Sequence, residues 1–123
     1  MRTIEDHQVS PADKALTITV LDVPGSGNAN HRYQVSNSPA PGEPVVHVYI
    51  PFQEGPIAKA GINGLTNEVL LAIVADRLRG FQSGEYACKA NDRALTHIEE
   101  AQHWLQQRTI ERMRRGVEGT HAV

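Results

Sequence analysis

The residues best suited to chemistry lie near the end of the chain. Between positions 106 and 116, Arg108, Arg112, Arg114 and Arg115 stand against a single carboxylate, Glu111. Arginine carries a permanent charge on a planar fork of donors, a geometry that grips phosphate. The same cluster also reads as a solvated basic helix end, which the helix dipole favours. Phe81 and Asn91 lie to either side of a short polar connector. They offer what a nucleobase needs, an aromatic face to stack on and an amide for its edge. Arg108 and Arg112 fall on an inward helical row, which points to a pocket between elements more than to a flat duplex-binding face.

Other chemistry-bearing patterns are weaker. Gly25-Ser26-Gly27 lacks the third glycine of a dinucleotide fingerprint and joins two strands, so it reads as a plain turn. Glu100 and His103 form a Glu-x-x-His pair of the kind found in di-metal bundles, but no second copy exists and the pair points away from the seam. Cys88 sits at a helix start, a position that can suit a reactive thiol, yet no His with Asn or Asp is placed to support a nucleophile. His97 and His103 lie among polar residues, and Trp104 flanks the seam as packing against a sheet or a partner subunit. Accordingly no catalytic residue, no metal site and no cofactor is expected.

These residues require two helices to position them. All seven prolines lie at or before Pro56, so nothing beyond forbids a long helix. Thr66 offers an N-cap with Glu68 in the first turn, residues 69–75 are apolar without a break, and Gly80 is a natural stop. The second helix is expected from Ala87 or Cys88 to about Arg115. Its inward row is Asn91, Ala94, Ile98, Ala101, Leu105, Arg108 and Arg112. Upstream, residues 16–21 alternate as a strand, residues 22–28 are turn chemistry, and residues 31–35 read as a second, antiparallel strand. Residues 36–44 form a proline-rich loop. Residues 45–52 place Val46, Val48, Ile50 and Phe52 on one face, with Pro51 marking an edge strand. A fourth short strand is expected near residues 57–60. The fold class is α+β: an N-terminal antiparallel β-meander followed by a two-helix antiparallel hairpin that oligomerises.

At 123 residues the chain is expected to form a single domain. It divides into a polar tail at 1–14 that frays, a β-rich part at 15–62, a helical hairpin at 63–116 and a C-terminal tail at 117–123. Aromatic content is only 5%, so the core must be aliphatic and part of it supplied by contacts between copies. The unbroken apolar run of the first helix needs cover on more than one side, which argues for at least a dimer. A net charge of −2 argues against a general nucleic-acid binder. One cysteine excludes an internal disulfide framework and fits a reducing compartment. No signal-peptide pattern and no apolar run of membrane-spanning length is visible, so a soluble protein with no membrane partner is expected.

Several stretches carry a resemblance. They are Asn63-Gly64-Leu65-Thr66-Asn67-Glu68, Leu71-Ala72-Ile73-Val74-Ala75-Asp76-Arg77-Leu78, Ala94-Leu95-Thr96-His97-Ile98-Glu99-Glu100-Ala101 and Arg115-Gly116-Val117-Glu118-Gly119-Thr120-His121. Together they resemble the Acb/Tad helical hairpin domain of phage proteins, shared by Thoeris anti-defence and anti-CBASS sponges. Asn30-His31-Arg32-Tyr33 and Phe52-Gln53-Glu54-Gly55-Pro56-Ile57 are similar to the longer Thoeris-type members. The resemblance implies a non-enzymatic protein in the cytoplasm of the infected bacterial host. Such a protein binds cyclic nucleotide immune signals (cyclic ADP-ribose isomers, and cyclic di- or trinucleotides in higher oligomers) and withholds them undegraded from Thoeris or CBASS effectors. The partner implied is thus a small cyclic nucleotide, with no specific nucleic acid, and a homodimer or higher homo-oligomer up to a hexamer. By the same resemblance Phe81 stacks on the base, Asn91 is a polar contact and Arg108 meets a phosphate. Arg112 and Arg115 are added to that contact from their place in the basic helix end, not from the resemblance. The alternative is a small structural or nucleic-acid-associated phage protein that uses the Arg-rich helix end.

Overall fold

The computed structural model describes residues 1–123. It divides into two compact units, one of Met1–Gly55 with Ala60–Gly64, the other of Pro56–Lys59 with Leu65–Val123. The fold is α+β: a four-stranded antiparallel sheet in the first unit, and helices, two of them long, in the second.

The sheet runs β1 (Arg2–Ile4), β2 (Thr17–Val20), β3 (Arg32–Ser36) and β4 (His47–Pro51), each strand paired with its neighbour in the chain. Cross-strand register places Ile18, Val35 and Val48 in one row and Val20, Tyr33 and Ile50 in the next. Alternation therefore gathers the apolar residues on one face. Phe52 continues that face, edge-on to Tyr33 at 5.5 Å between ring centroids. Pro51 ends β4 on the sheet edge, where its missing N–H costs no ladder bond.

The first residues, expected to fray, are instead paired. Arg2, Thr3 and Ile4 lie opposite Val20, Thr19 and Ile18. Side chains tie down the stretch from His7 to Leu16. The Asp13 carboxylate accepts from the N–H groups of Ser10 at 2.7 Å and Val9 at 2.9 Å, and His7 Nε2 bonds the carbonyl oxygens of Leu16 and Asp13. Those amides, Ser10 first, hold Asp13 below the usual carboxylate range. Between β2 and β3, Asp22 caps the returning chain by accepting from His31 N and Arg32 N at 2.9 and 3.2 Å. Burial works against its charge, but the amides outweigh it and its pKa is lowered.

Residues 57–60 also depart from expectation: they form not a strand but a helical turn, α1 (Ile57–Ala60). Pro56 presets the first-turn φ, and Lys59 N closes on its carbonyl at 3.0 Å. Gly55 and Gly61, at φ of 82° and 69°, reverse the chain on either side. The chain around this excursion is clamped by Gln53 and Asn63. Asn63 bonds both the N–H and the carbonyl of Glu54, at 2.8 and 2.7 Å, and donates its own N–H to Gln53 Oε1 at 3.0 Å.

Thr66 caps α2 (Asn67–Gln82), its hydroxyl accepting from Val69 N at 3.3 Å. Gly80 does not stop the helix. Glycine permits a left-handed exit without compelling one, and the helix runs on to Ser83, whose N–H and hydroxyl both return to the Gly80 carbonyl. After residues 83–88 comes α3 (Lys89–Arg114), capped by Cys88, whose sulfur accepts from Asn91 N. The inward row of α3 matches the expected one except at two positions. Asn91, Leu95, Ile98, Gln102, Leu105, Thr109 and Arg112 are its covered positions, with Ala101 beside them, while Ala94 and Arg108 are exposed. Both rows share every seventh residue, and the helix settles on the one that hides Leu95 and the Thr109 methyl rather than an alanine and a free charge.

In the helical unit only Ala75 is fully buried among apolar residues. Val69, Val74 and Ile73 keep 42%, 46% and 60% of their surface exposed, so α3 covers one side of the apolar run, and Trp104, edge-on to His103, stays 68% exposed. No helix is long and apolar enough to cross a membrane.

Gly64 is the tightest point of the sheet unit. A Cβ there would lie 2.4 Å from the carbonyl carbon of Phe52 and 2.5 Å from its oxygen, backbone atoms that cannot rotate away. Gly64→Ala should therefore lower stability by about 1–3 kcal/mol, the usual cost of overpacking. Chemical denaturation measures it, and an unshifted midpoint would mean that the Phe52 backbone yields without cost.

Candidate functional site

The site residues separate into two groups at opposite ends of the helical hairpin. Phe81 closes α2, and Asn91 sits in the first turn of α3. The connector brings them together through a reciprocal pair of bonds. Cys88 N donates to Gln82 Oε1 at 3.0 Å, and Gln82 Nε2 donates to the Cys88 carbonyl at 3.2 Å. Within that closed turn Tyr86 meets Phe81 edge-on, with centroids 6.4 Å apart and planes at 87°. Asn91 Nδ2 donates to the Tyr86 carbonyl at 3.4 Å, which leaves its amide oxygen to accept from a base edge. The Arg77 guanidinium lies 5.1 Å from the Phe81 centroid, a cation–π contact. Neither Arg77 nor Gln82 stands out in the sequence. Arg77 is legible in principle, since four residues along a helix places it beside Phe81.

Arg108, Arg112 and Arg115 lie at the far end. Seventeen residues of α3 separate Asn91 from Arg108, about 25 Å at 1.5 Å per residue. The structure therefore does not bring Arg108 to Phe81 within one hairpin. Arg108 is exposed, and Arg115 rests against Glu111 at 3.5 Å, one turn back along α3.

Arg112, expected as a further phosphate contact, has partners within the chain. Its side chain is buried, and its guanidinium faces the chain's own C-terminal segment. Nε donates to Glu118 Oε2 at 3.1 Å, one terminal nitrogen to the carbonyls of Val117 and Thr120 at 3.0 and 3.1 Å, and the other to Ala122. The tail it gathers turns at Gly116 and Gly119, both at positive φ, and accepts at Gly119 from Ala58 N of α1 at 3.1 Å. Sequence pattern places Arg112 on the inward row, where it is buried, but a folded tail after a helix end carries no periodic signature and its acceptors could not be foreseen.

The remaining candidates stay apart from the hairpin's turn. Gly25 N and Asn28 N both bond carbonyls of their own loop, so the Gly25-Ser26-Gly27 segment is a turn and not a phosphate cradle. His97 and Glu100 approach only to 3.9 Å on an exposed face, and no three His, Cys, Asp or Glu side chains converge. Cys88 is a free thiol acting as a cap.

Replacing Arg112 with alanine strips the donor from one carboxylate and three carbonyls. We expect a loss of about 1–3 kcal/mol, the cost of leaving such acceptors unpaired, with faster amide exchange at Val117 and Thr120. Exchange in that tail at the wild-type rate would show that Arg112 does not hold it.

The family model for the Acb2/Tad1 hairpin domain matches residues 44–109, so Phe81, Asn91 and Arg108 fall inside it and Arg112 and Arg115 beyond. A curated relative, Thoeris anti-defense 1 of Bacillus phage SBSphiJ7, is 53% identical over 70 residues, which is 57% of this chain and 49% of the relative. The chain thus spans about half the length of the relative it matches. The domain match alone extends over more than half of the sequence: the chain belongs to the Acb2/Tad1 hairpin-domain family.

Proposed function

We propose that this chain is a phage anti-defence protein that binds cyclic nucleotide immune signals and sequesters them in the infected host cell. The ligands are cyclic ADP-ribose isomers, with cyclic di- or trinucleotides as further candidates, and Thoeris or CBASS effectors go unactivated for want of them. The observation that carries the reading is an aromatic ring, an amide and a cation gathered at the turn of a hairpin whose relative is named for Thoeris anti-defence. The ligand is held and not degraded, because the site has an acceptor and a stacking face but no nucleophile with its base.

In this reading the exposed apolar residues Val69, Ile73 and Val74 and the exposed Trp104 meet further copies of the chain. Antiparallel hairpins of two subunits then bring Phe81 and Asn91 of one beside Arg108 of the other, which a single hairpin keeps about 25 Å apart. The second reading, a nucleic-acid backbone binder, rests on the exposure of Arg108, Arg114 and Arg115.

Two experiments decide between them. A cyclic ADP-ribose isomer incubated with the protein should be recovered intact after heat denaturation, at a fixed ratio to protein. Linear ADP-ribose in excess over protein would make this an enzyme, and steeply salt-dependent duplex binding without small-ligand binding would favour the backbone reading. Second, Phe81→Ala and Arg108→Ala should each weaken binding about ten- to a hundredfold, as loss of a base stack or a phosphate contact predicts. If the site is shared, mixing the two variants with subunit exchange restores about a quarter of full capacity, since half the random dimers carry one intact site of two. No recovery would place both residues on one chain or neither at the ligand.

A further inference from the structure

Phe81 has a cation of its own. We propose that Arg77 is the charge complement of the Phe81 site, taking a phosphate of the nucleotide whose base stacks on that ring. The inference rests on the ligand reading above and deepens it, since sequence pattern assigns all phosphate recognition to the distant end of α3.

Three observations carry it. First, position: the guanidinium lies 5.1 Å from the centroid of the ring, on the same helix and one turn before it. Base and phosphate of one nucleotide are a few ångströms apart, a reach that Arg77 meets and that Arg108 of the same chain cannot. Second, availability. The arginine two residues on, Arg79, is neutralised by Glu99 at 3.0 Å, and Arg32, Arg112 and Arg115 each have a carboxylate partner. Arg77 has none within ion-pair distance and is exposed, so its fork of donors remains open to an anion. Third, the surroundings. Tyr86 stands edge-on to Phe81 and Asn91 is tied to the Tyr86 carbonyl, so ring, amide and guanidinium sit in one fixed turn of one protomer. A guanidinium already lying against the ring also presents a flat face beside it, on which a base edge or ribose can rest while the N–H groups turn to phosphate.

The geometry makes the recognition of base and phosphate local, with Arg108 of a second copy closing over a nucleotide that the first already grips. Arg77 is then a contact residue, and its effect is distinguishable from simple support of the ring. Arg77→Met keeps an unbranched stem over Phe81 and a good helix former on α2 while deleting the charge. Cyclic ADP-ribose isomer is titrated into wild type and Arg77→Met by calorimetry at two salt concentrations, with helix content compared by circular dichroism. We expect wild-type helicity, affinity lowered about ten- to a hundredfold as for loss of a charge-assisted phosphate contact, and a weaker dependence on salt because one screened attraction is gone. Wild-type affinity in the variant overturns the inference. So does a loss of affinity with salt dependence unchanged, which would make Arg77 a prop for the ring. Wild type that binds no cyclic ADP-ribose at all overturns the ligand reading itself and this inference with it, whereas tight wild-type binding with an indifferent variant removes Arg77 alone.

Discussion

The helical unit depends on the closure of its turn by Gln82 and Cys88. Their two reciprocal hydrogen bonds, at 3.0 and 3.2 Å, make a side-chain amide behave as a backbone partner. Each is worth about 1 kcal/mol net in such a setting, a modest sum with a large geometric result. They fix where α2 ends and where α3 begins, and hence the distance from the Phe81 ring to the Asn91 amide. Gly84 N and Ala87 N complete the turn with bonds to Phe81 and Gly84 carbonyls. A ring, a second ring edge-on and an amide are thereby held in place by the connector rather than by a surrounding core. Preorganisation of that kind is what a binding surface needs when little of it is enclosed.

The arginines are sorted by what lies opposite them. Arg112 faces four acceptors of its own tail, Arg79 a carboxylate of the neighbouring helix, Arg77 an aromatic face, and Arg108 solvent. One residue type thus serves as a buried strut, an exposed interhelical bridge, a stacked cation and a free charge. The bridge adds little, because both partners are about half exposed. The strut matters more, since it converts a tail with two left-handed glycines into an ordered segment joined to α1.

Those distinctions explain how far the sequence could be read. Helix starts carried by local chemistry were legible: Thr66 caps α2 as its type suggests, α3 begins one residue after Cys88, and the strands of the meander follow their alternation to within two residues at each end. What was not legible depended on partners distant in sequence. Arg2 to Ile4 has no pattern long enough to announce a strand and is one only because β2 offers an edge. Ile57 to Ala60 alternates weakly in either state, and Pro56 with its flanking glycines tips it to a turn of helix. The α3 seam keeps Asn91, Ile98, Ala101, Leu105 and Arg112 but takes Leu95 in place of Ala94 and Thr109 in place of Arg108, because Ala94 and Leu95 both fit an apolar row and only size decides between them. At the turn of the hairpin, Phe81 and Asn91 could be singled out from type and position, while the contact of Arg77 with the Phe81 ring was hidden by reading charges as a cluster and not by their neighbours.

Strand order in the sheet follows chain order without a crossover, and the two long helices are likewise consecutive. Every major partnership is therefore between segments that leave the ribosome one after the other. Loop-closure entropy is small for such pairings, and chains built from them reach the native state quickly. Apart from the bond from Ala58 N to the Gly119 carbonyl, which waits for the tail, the strands and long helices pair without a remote segment, so few unpaired edges persist during synthesis. Rapid maturation is a property of this topology, independent of what the finished surface binds.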